Sequence, residues 1–141
     1  MFILPVEGLE VASLIYILRE VLDSVLTYSK IHHPMESILL LRGEVKKLDV
    51  IVKEVIIPPS SIHGRGFTSF PLVHLPIDFS IVGTSHSHPS GVLRPSITDL
   101  NHVFGRFLMI VGYPYNSERD IAIFNREGKA LKFTVVEEGG V

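Results

Sequence analysis

From Thr84 to Asp99 the chain reads Thr-Ser-His-Ser-His-Pro-Ser-Gly-Val-Leu-Arg-Pro-Ser-Ile-Thr-Asp, which sets His86 and His88 one residue apart and follows them with Ser96 and Asp99. Side chains of a strand alternate between its faces, so on a strand both imidazoles point the same way and one metal ion can take a nitrogen from each. A catalytic zinc takes three protein ligands and keeps a fourth position for water, with nitrogen or oxygen donors at about 2.0 to 2.2 Å. His86, His88 and Asp99 make such a set, two from a strand end and one from the first turn of the helix that follows. Zinc brings the pKa of its bound water to about 7, so hydroxide forms at neutral pH and hydrolysis is the natural chemistry.

Each of these residues also has a plainer reading. Ser96 and Asp99 have the spacing of a helix-capping box. The two readings are compatible, because a cap fixes the carboxylate at the helix start, within reach of the strand end, and a free Ser96 hydroxyl could donate to a developing oxyanion. His-x-His alone is also what two strand-end histidines look like, but Pro89, Gly91 and Pro95 shape a tight return between strand and helix, as a shared site requires. Glu36 opens an apolar run. A strand-end Glu is ordinarily just solvated, yet beside a buried edge a carboxylate is costly without a purpose. That makes it a candidate for the general base that takes a proton from the metal-bound water and later delivers it to the leaving amine.

The remaining histidines offer less. His32 and His33 precede Pro34 and read as the end of a helix, where imidazole is favourable, and adjacent residues on a strand would point apart. His63 and His74 fall in a loop-like stretch where they could touch a substrate. His102, three residues after Asp99, reads as packing on the same helix face.

The chain has 141 residues, is 46% hydrophobic, and carries 13 basic and 15 acidic residues for a net charge of -2. This is the size of one domain spanning 1–141, and nothing in the charge suggests nucleic acid. Without cysteine, disulfides and thiolate-held zinc are both excluded, so a metal must be held by imidazole and carboxylate. No apolar run reaches about 18 residues and the N-terminus lacks the pattern of a signal peptide, so the expectation is a cytoplasmic protein with no membrane partner.

The elements that would position the site follow from periodicity. Val11, Leu14, Ile15, Leu18, Leu22, Val25 and Leu26 recur at three and four, which predicts an amphipathic helix over 7–29, barred from continuing by Pro34. Met35 to Leu41 reads as a buried strand stopped by Gly43, and Leu48 to Ile57 as the next, halted by Pro58-Pro59. Residues 58–80 have the composition of a surface loop, where a substrate-gripping segment could lie. Phe79 to His88 is the strand that carries the histidines, and Ser96 caps a helix over 97–104. Arg106 to Val111, Ile121 to Phe124 and Ala130 to Val136 read as strands, the last two joined by a turn at Asn125-Arg126-Glu127-Gly128. The result is a mixed sheet with flanking helices.

Glu36, His86-Ser87-His88-Pro89 and, six residues on, Ser96-Ile97-Thr98-Asp99 closely resemble the motif of the JAMM (MPN+) zinc metalloprotease family, and Gly43 and Gly83 also fit its pattern. The resemblance covers about 7–136. It departs in Thr84-Ser85, where aromatic residues often precede the first histidine, and in Leu39, where a glycine commonly follows the Glu. The short connection from Tyr113 to Glu118 leaves no space for the second ubiquitin-gripping insertion of eukaryotic members, which points to the compact prokaryotic type.

The resemblance implies an α+β fold of α/β/α type, similar to cytidine deaminases, around a curved, mainly antiparallel sheet. It implies one zinc ion (Zn2+) per chain held by His86, His88 and Asp99, with Glu36 as general acid/base and Ser96 steadying the tetrahedral intermediate. It further implies cleavage after the C-terminal glycine of a ubiquitin-like modifier, its conjugates, or a sulfur-carrier protein, and leaves a homodimer open. Two other functions compete. A non-catalytic MPN scaffold would ordinarily lack part of the ligand set, and a nucleobase deaminase would need His-x-Glu and Pro-Cys-x-x-Cys.

Overall fold

The computed structural model describes residues 14–58, the backbone of 62–63, and residues 80–139. Strand β1 (Ile15–Leu18) leads straight into helix α1 (Arg19–His32), followed by strands β2 (Glu36–Lys46), β3 (Asp49–Ile56), β4 (Ile62–His63) and β5 (Ile81–His88). Helix α2 (Ile97–Asn101), β6 (Phe107–Gly112), a 3-10 turn (Glu118–Asp120), β7 (Ile121–Asn125), β8 (Ala130–Leu131) and β9 (Phe133–Val136) complete the order.

The helix predicted over 7–29 is corrected in its first half. Residues 7–13 lie outside the described residues, and Ile15–Leu18 form a strand in which Ile15 and Ile17 are buried while Tyr16 and Leu18 are half-buried. Ile15 and Leu18 satisfied a helical period on paper, but β-branched and aromatic residues paired in parallel with both β3 and β9 gain more as a strand. No side chain caps α1 at Leu18, so no local signal marked the boundary. The helix end is as expected: His33 is extended, as the residue before proline must be. Val21, Leu22, Val25 and Leu26 form the buried stripe of α1.

The sheet order is β8-β7-β6-β5-β2-β3-β1-β9, with β4 also on β2. Pairing is mainly antiparallel, the exceptions being β1 with β3, β1 with β9, and β5 with β6. The stretch 130–136, expected as one strand, is two. β8 closes the hairpin on β7 and β9 runs beside β1 at the other end of the order, with only Lys132 between them. A single residue spans a few ångströms, so the sheet must curl until its two ends adjoin, giving a curved, nearly barrel-like α+β fold. The predicted turn before β8 is present, with Gly128 at φ 86° and Asn125 Oδ1 accepting from the N–H groups of Glu127 and Lys129.

Gly43 does not end β2, which runs on to Lys46. It marks a shift in the β2–β3 register, where a Cβ would stand 1.9 Å from the Ile51 carbonyl oxygen. The main core lies between α1 and one face of the sheet, and includes Leu39, Leu41, Val52, Met109 and Ile123. On the opposite face Leu93, Leu100 and Val103 cover Leu108, Ile110 and Phe124. That second face carries the histidines, because His86 is in register with Ile38 on one side and Ile110 on the other.

Candidate metal centre

His86 and His88 end β5, and by strand alternation they face the same side. His86 is buried at 3% exposure among the apolar residues of that face, while His88 reaches the surface of a cleft of about 690 Å³. The return between strand and helix is held close by small residues: a Cβ on Gly112 would stand 2.8 Å from Leu93 Cδ2 and 3.1 Å from the Gly91 carbonyl oxygen. Ser96 then caps α2 as predicted, its Oγ accepting from Asp99 N–H at 3.0 Å while Asp99 Oδ2 accepts from Ser96 N–H at 2.8 Å. The helix stops at Asn101, short of the predicted 104. Thr84 on β5 recaptures the chain there, its Oγ1 donating to the Phe104 carbonyl at 2.6 Å and accepting from Phe104 N–H at 2.8 Å.

The cap delivers the Asp99 carboxylate to the histidines. Its Oδ1 lies 3.1 Å from His86 Nδ1 and its Oδ2 lies 3.1 Å from His88 Nε2. His88 Nδ1 is 2.8 Å from the Val92 carbonyl oxygen. A carbonyl only accepts, so Nδ1 carries the proton, and in a neutral ring Nε2 is left with a lone pair facing a carboxylate oxygen. Between those two atoms there must be a proton or a metal cation.

The electrostatics agree. Burial opposes charge on His88, but the bond to Asp99, the Val92 carbonyl and the charges of Asp99 and Glu36 outweigh it and raise its pKa. Burial likewise pushes the Asp99 carboxyl up, and His86, His88 and the Ser96 N–H together hold it well below the usual carboxylate range. Among the described residues no three His, Asp or Glu side chains stand ready as a metal cage. His86 and His88 are instead each hydrogen-bonded to Asp99. By donor type, burial and the His88 Nδ1 contact to a carbonyl, which is the usual orienting bond of a ligating histidine, they fit zinc.

Glu36, the first residue of β2, is half-buried and lines the same cleft as His88, Arg94, Ser96 and Asp99. His86 lies beneath the cleft rather than in its lining. The other histidines stand apart from it: His32 packs on Tyr28, and His102 ends α2 with its Nδ1 2.7 Å from the carbonyl of Thr98, one turn back on the same helix. The side chain of His63, all of His74, and most of the expected gripping segment 58–80 lie outside the described residues.

Three residues that sequence reasoning passed over stand behind this arrangement. Ser37 and Ser87 are each 2% exposed and hydrogen-bonded to each other, and Tyr115, buried and at φ 58°, meets His33 Nδ1 with its hydroxyl at 3.1 Å. The available signal was a serine beside Glu36 at the start of an apolar run and another between the two histidines.

Comparison with known proteins was consistent with this geometry. Residues 18–127 match the family model described as prokaryotic homologs of the JAB domain. The chain is 35% identical over 128 residues to a probable metalloprotease of Haloferax volcanii, covering 86% of this chain and 79% of that one. Its structure is similar to a JAB1/MPN domain protein from Archaeoglobus fulgidus, with TM-score 0.66, 35% identity, and coverage of 86% of this chain and 99% of the other. It is similar also to a structure described as JAMM, a metalloprotease-like zinc site in the proteasome and signalosome, with TM-score 0.64, 33% identity, and coverage of 89% and 100%.

Proposed function

Because the chain belongs to the family of prokaryotic homologs of the JAB domain and is metalloprotease-like, we propose that it is a cytoplasmic zinc-dependent isopeptidase or peptidase. It cleaves after the C-terminal glycine of a ubiquitin-like modifier or a sulfur-carrier protein. The observation that carries this reading is the Asp99 carboxylate set between two imidazoles at 3.1 Å each, beside a cleft that also holds Glu36.

In this reading His86, His88 and Asp99 would hold one zinc per chain, which would supply Lewis-acid chemistry for hydrolysis at neutral pH. Glu36 takes a proton at its carboxylate and returns it to the leaving amine, since it faces the cleft and stays partly solvated. Ser96 spends a lone pair on the Asp99 N–H, so its hydroxyl proton stays available for the oxyanion that forms as the carbonyl is attacked. Val92 keeps the His88 ring in the tautomer that presents Nε2 to the site. A scaffold role is the weaker reading, because a protein that only docks partners has no need of a complete donor set with a carboxylate across from it.

The test is a ubiquitin-like protein extended past its terminal Gly-Gly, incubated with wild-type chain and with Glu36→Ala. Cleavage at the glycine, lost by about 10²-fold to 10⁴-fold in the variant while zinc content stays near one per chain, supports the proposal. An undiminished Glu36→Ala chain, or no zinc under metal-replete conditions, defeats it.

A further inference from the structure

The antiparallel ladder between β2 and β5 stops at Ile38 and His86. Beyond it stand Ser37 and Ser87, which follow Glu36 and separate the two histidines. There the backbone rung is replaced: Ser37 N–H donates at 2.8 Å to the Ser87 hydroxyl rather than to a β5 carbonyl, and Ser37 Oγ donates to the same oxygen at 3.1 Å.

A hydroxyl has two lone pairs and one proton. Both lone pairs of Ser87 Oγ thus face Ser37, the residue directly after Glu36, and both serines are buried.

We propose that Ser87 is a positioning residue for Glu36: its hydroxyl takes the Ser37 N–H where the ladder ends and fixes how far the start of β2 stands from His86 and His88. This rests on the role given to Glu36 above. A backbone rung would hold the strands at the uniform sheet spacing. A side-chain rung sets a different separation at this one level, and a misplacement of about 1 Å at a reacting group costs up to about 10²-fold in rate.

Ser87→Ala removes the rung and Ser87→Thr restores the hydroxyl. In the zinc-loaded chain, kcat on the Gly-Gly-extended probe falls about tenfold or more in Ser87→Ala, with KM within about twofold, zinc content unchanged, and recovery in Ser87→Thr. Ser37 amide exchange accelerates in Ser87→Ala. Normal kcat in Ser87→Ala beside an inactive Glu36→Ala overturns the proposal. If wild-type chain cleaves no probe, the functional reading fails; Ser37 exchange unchanged in Ser87→Ala then overturns the rung itself, and acceleration sustains it.

Discussion

Thr84→Val is the sharpest test of how the site is assembled. The substitution keeps shape and branching but removes Oγ1, and with it both bonds to Phe104. Thr84 is 1% exposed, so nothing replaces the lost contacts from its side. An unpaired buried donor or acceptor costs about 1 to 3 kcal/mol. Phe104 is half-buried, so water partly recovers its N–H and carbonyl and the low end applies to each. The sum is about 2 kcal/mol. With a urea m value of about 1.5 kcal/mol/M, the unfolding midpoint drops by about 1.3 M, and the melting temperature by about 6 °C. Thr84→Ser retains the oxygen and should stay within about 0.5 kcal/mol of wild type, the range of changes that spare such features. A midpoint shift in Thr84→Val of less than about 0.3 M would refute the assignment of this pair as the clasp between β5 and the segment after α2.

Gly43→Ala should lose more than about 3 kcal/mol or fail to fold, because its Cβ would meet the Ile51 carbonyl oxygen at 1.9 Å and a backbone atom has nowhere to yield; soluble yield and urea melts decide it. Chelation should abolish cleavage and lower the melting temperature, and zinc at a hundredfold excess over its dissociation constant should restore about 2.7 kcal/mol of stability. Burial first, then the charge of Glu36, raises the pKa of Tyr115 against the opposing Ser87 bond. A raised tyrosine pKa means that the folded chain holds this proton longer than the unfolded one, so its contribution is intact below about pH 10 and is lost as pH rises further. Alkaline unfolding curves should show that decline, and Tyr115→Phe should lessen it.

The cap, the shared face of His86 and His88, and the place of Glu36 at a strand start were legible because each depends on local rules: strand alternation, the Ser-x-x-Asp box, an apolar run with one carboxylate. Ile15–Leu18 were misread because the same residues fit two periods, and only the neighbours β3 and β9, distant in sequence, decide between them. The break at Lys132 had no local sign either, since both halves of 130–136 favour strand and only the curl of the whole sheet assigns them to different partners. Ser87 looked like a spacer between two ligands. Its partner Ser37 lies 50 residues before it, which no local spacing rule reaches.

The clasp formed by β8 and β9 also constrains the order of assembly. β1 lies between β3 and β9, so one side of an early strand waits for almost the last described segment of the chain. During synthesis the nascent polypeptide can build its helix and central strands, but the circuit closes only when residues 133–136 have been made. Proteolysis or a stop codon a few residues earlier would therefore leave a chain with Glu36, His86, His88 and Asp99 all present and its seam open.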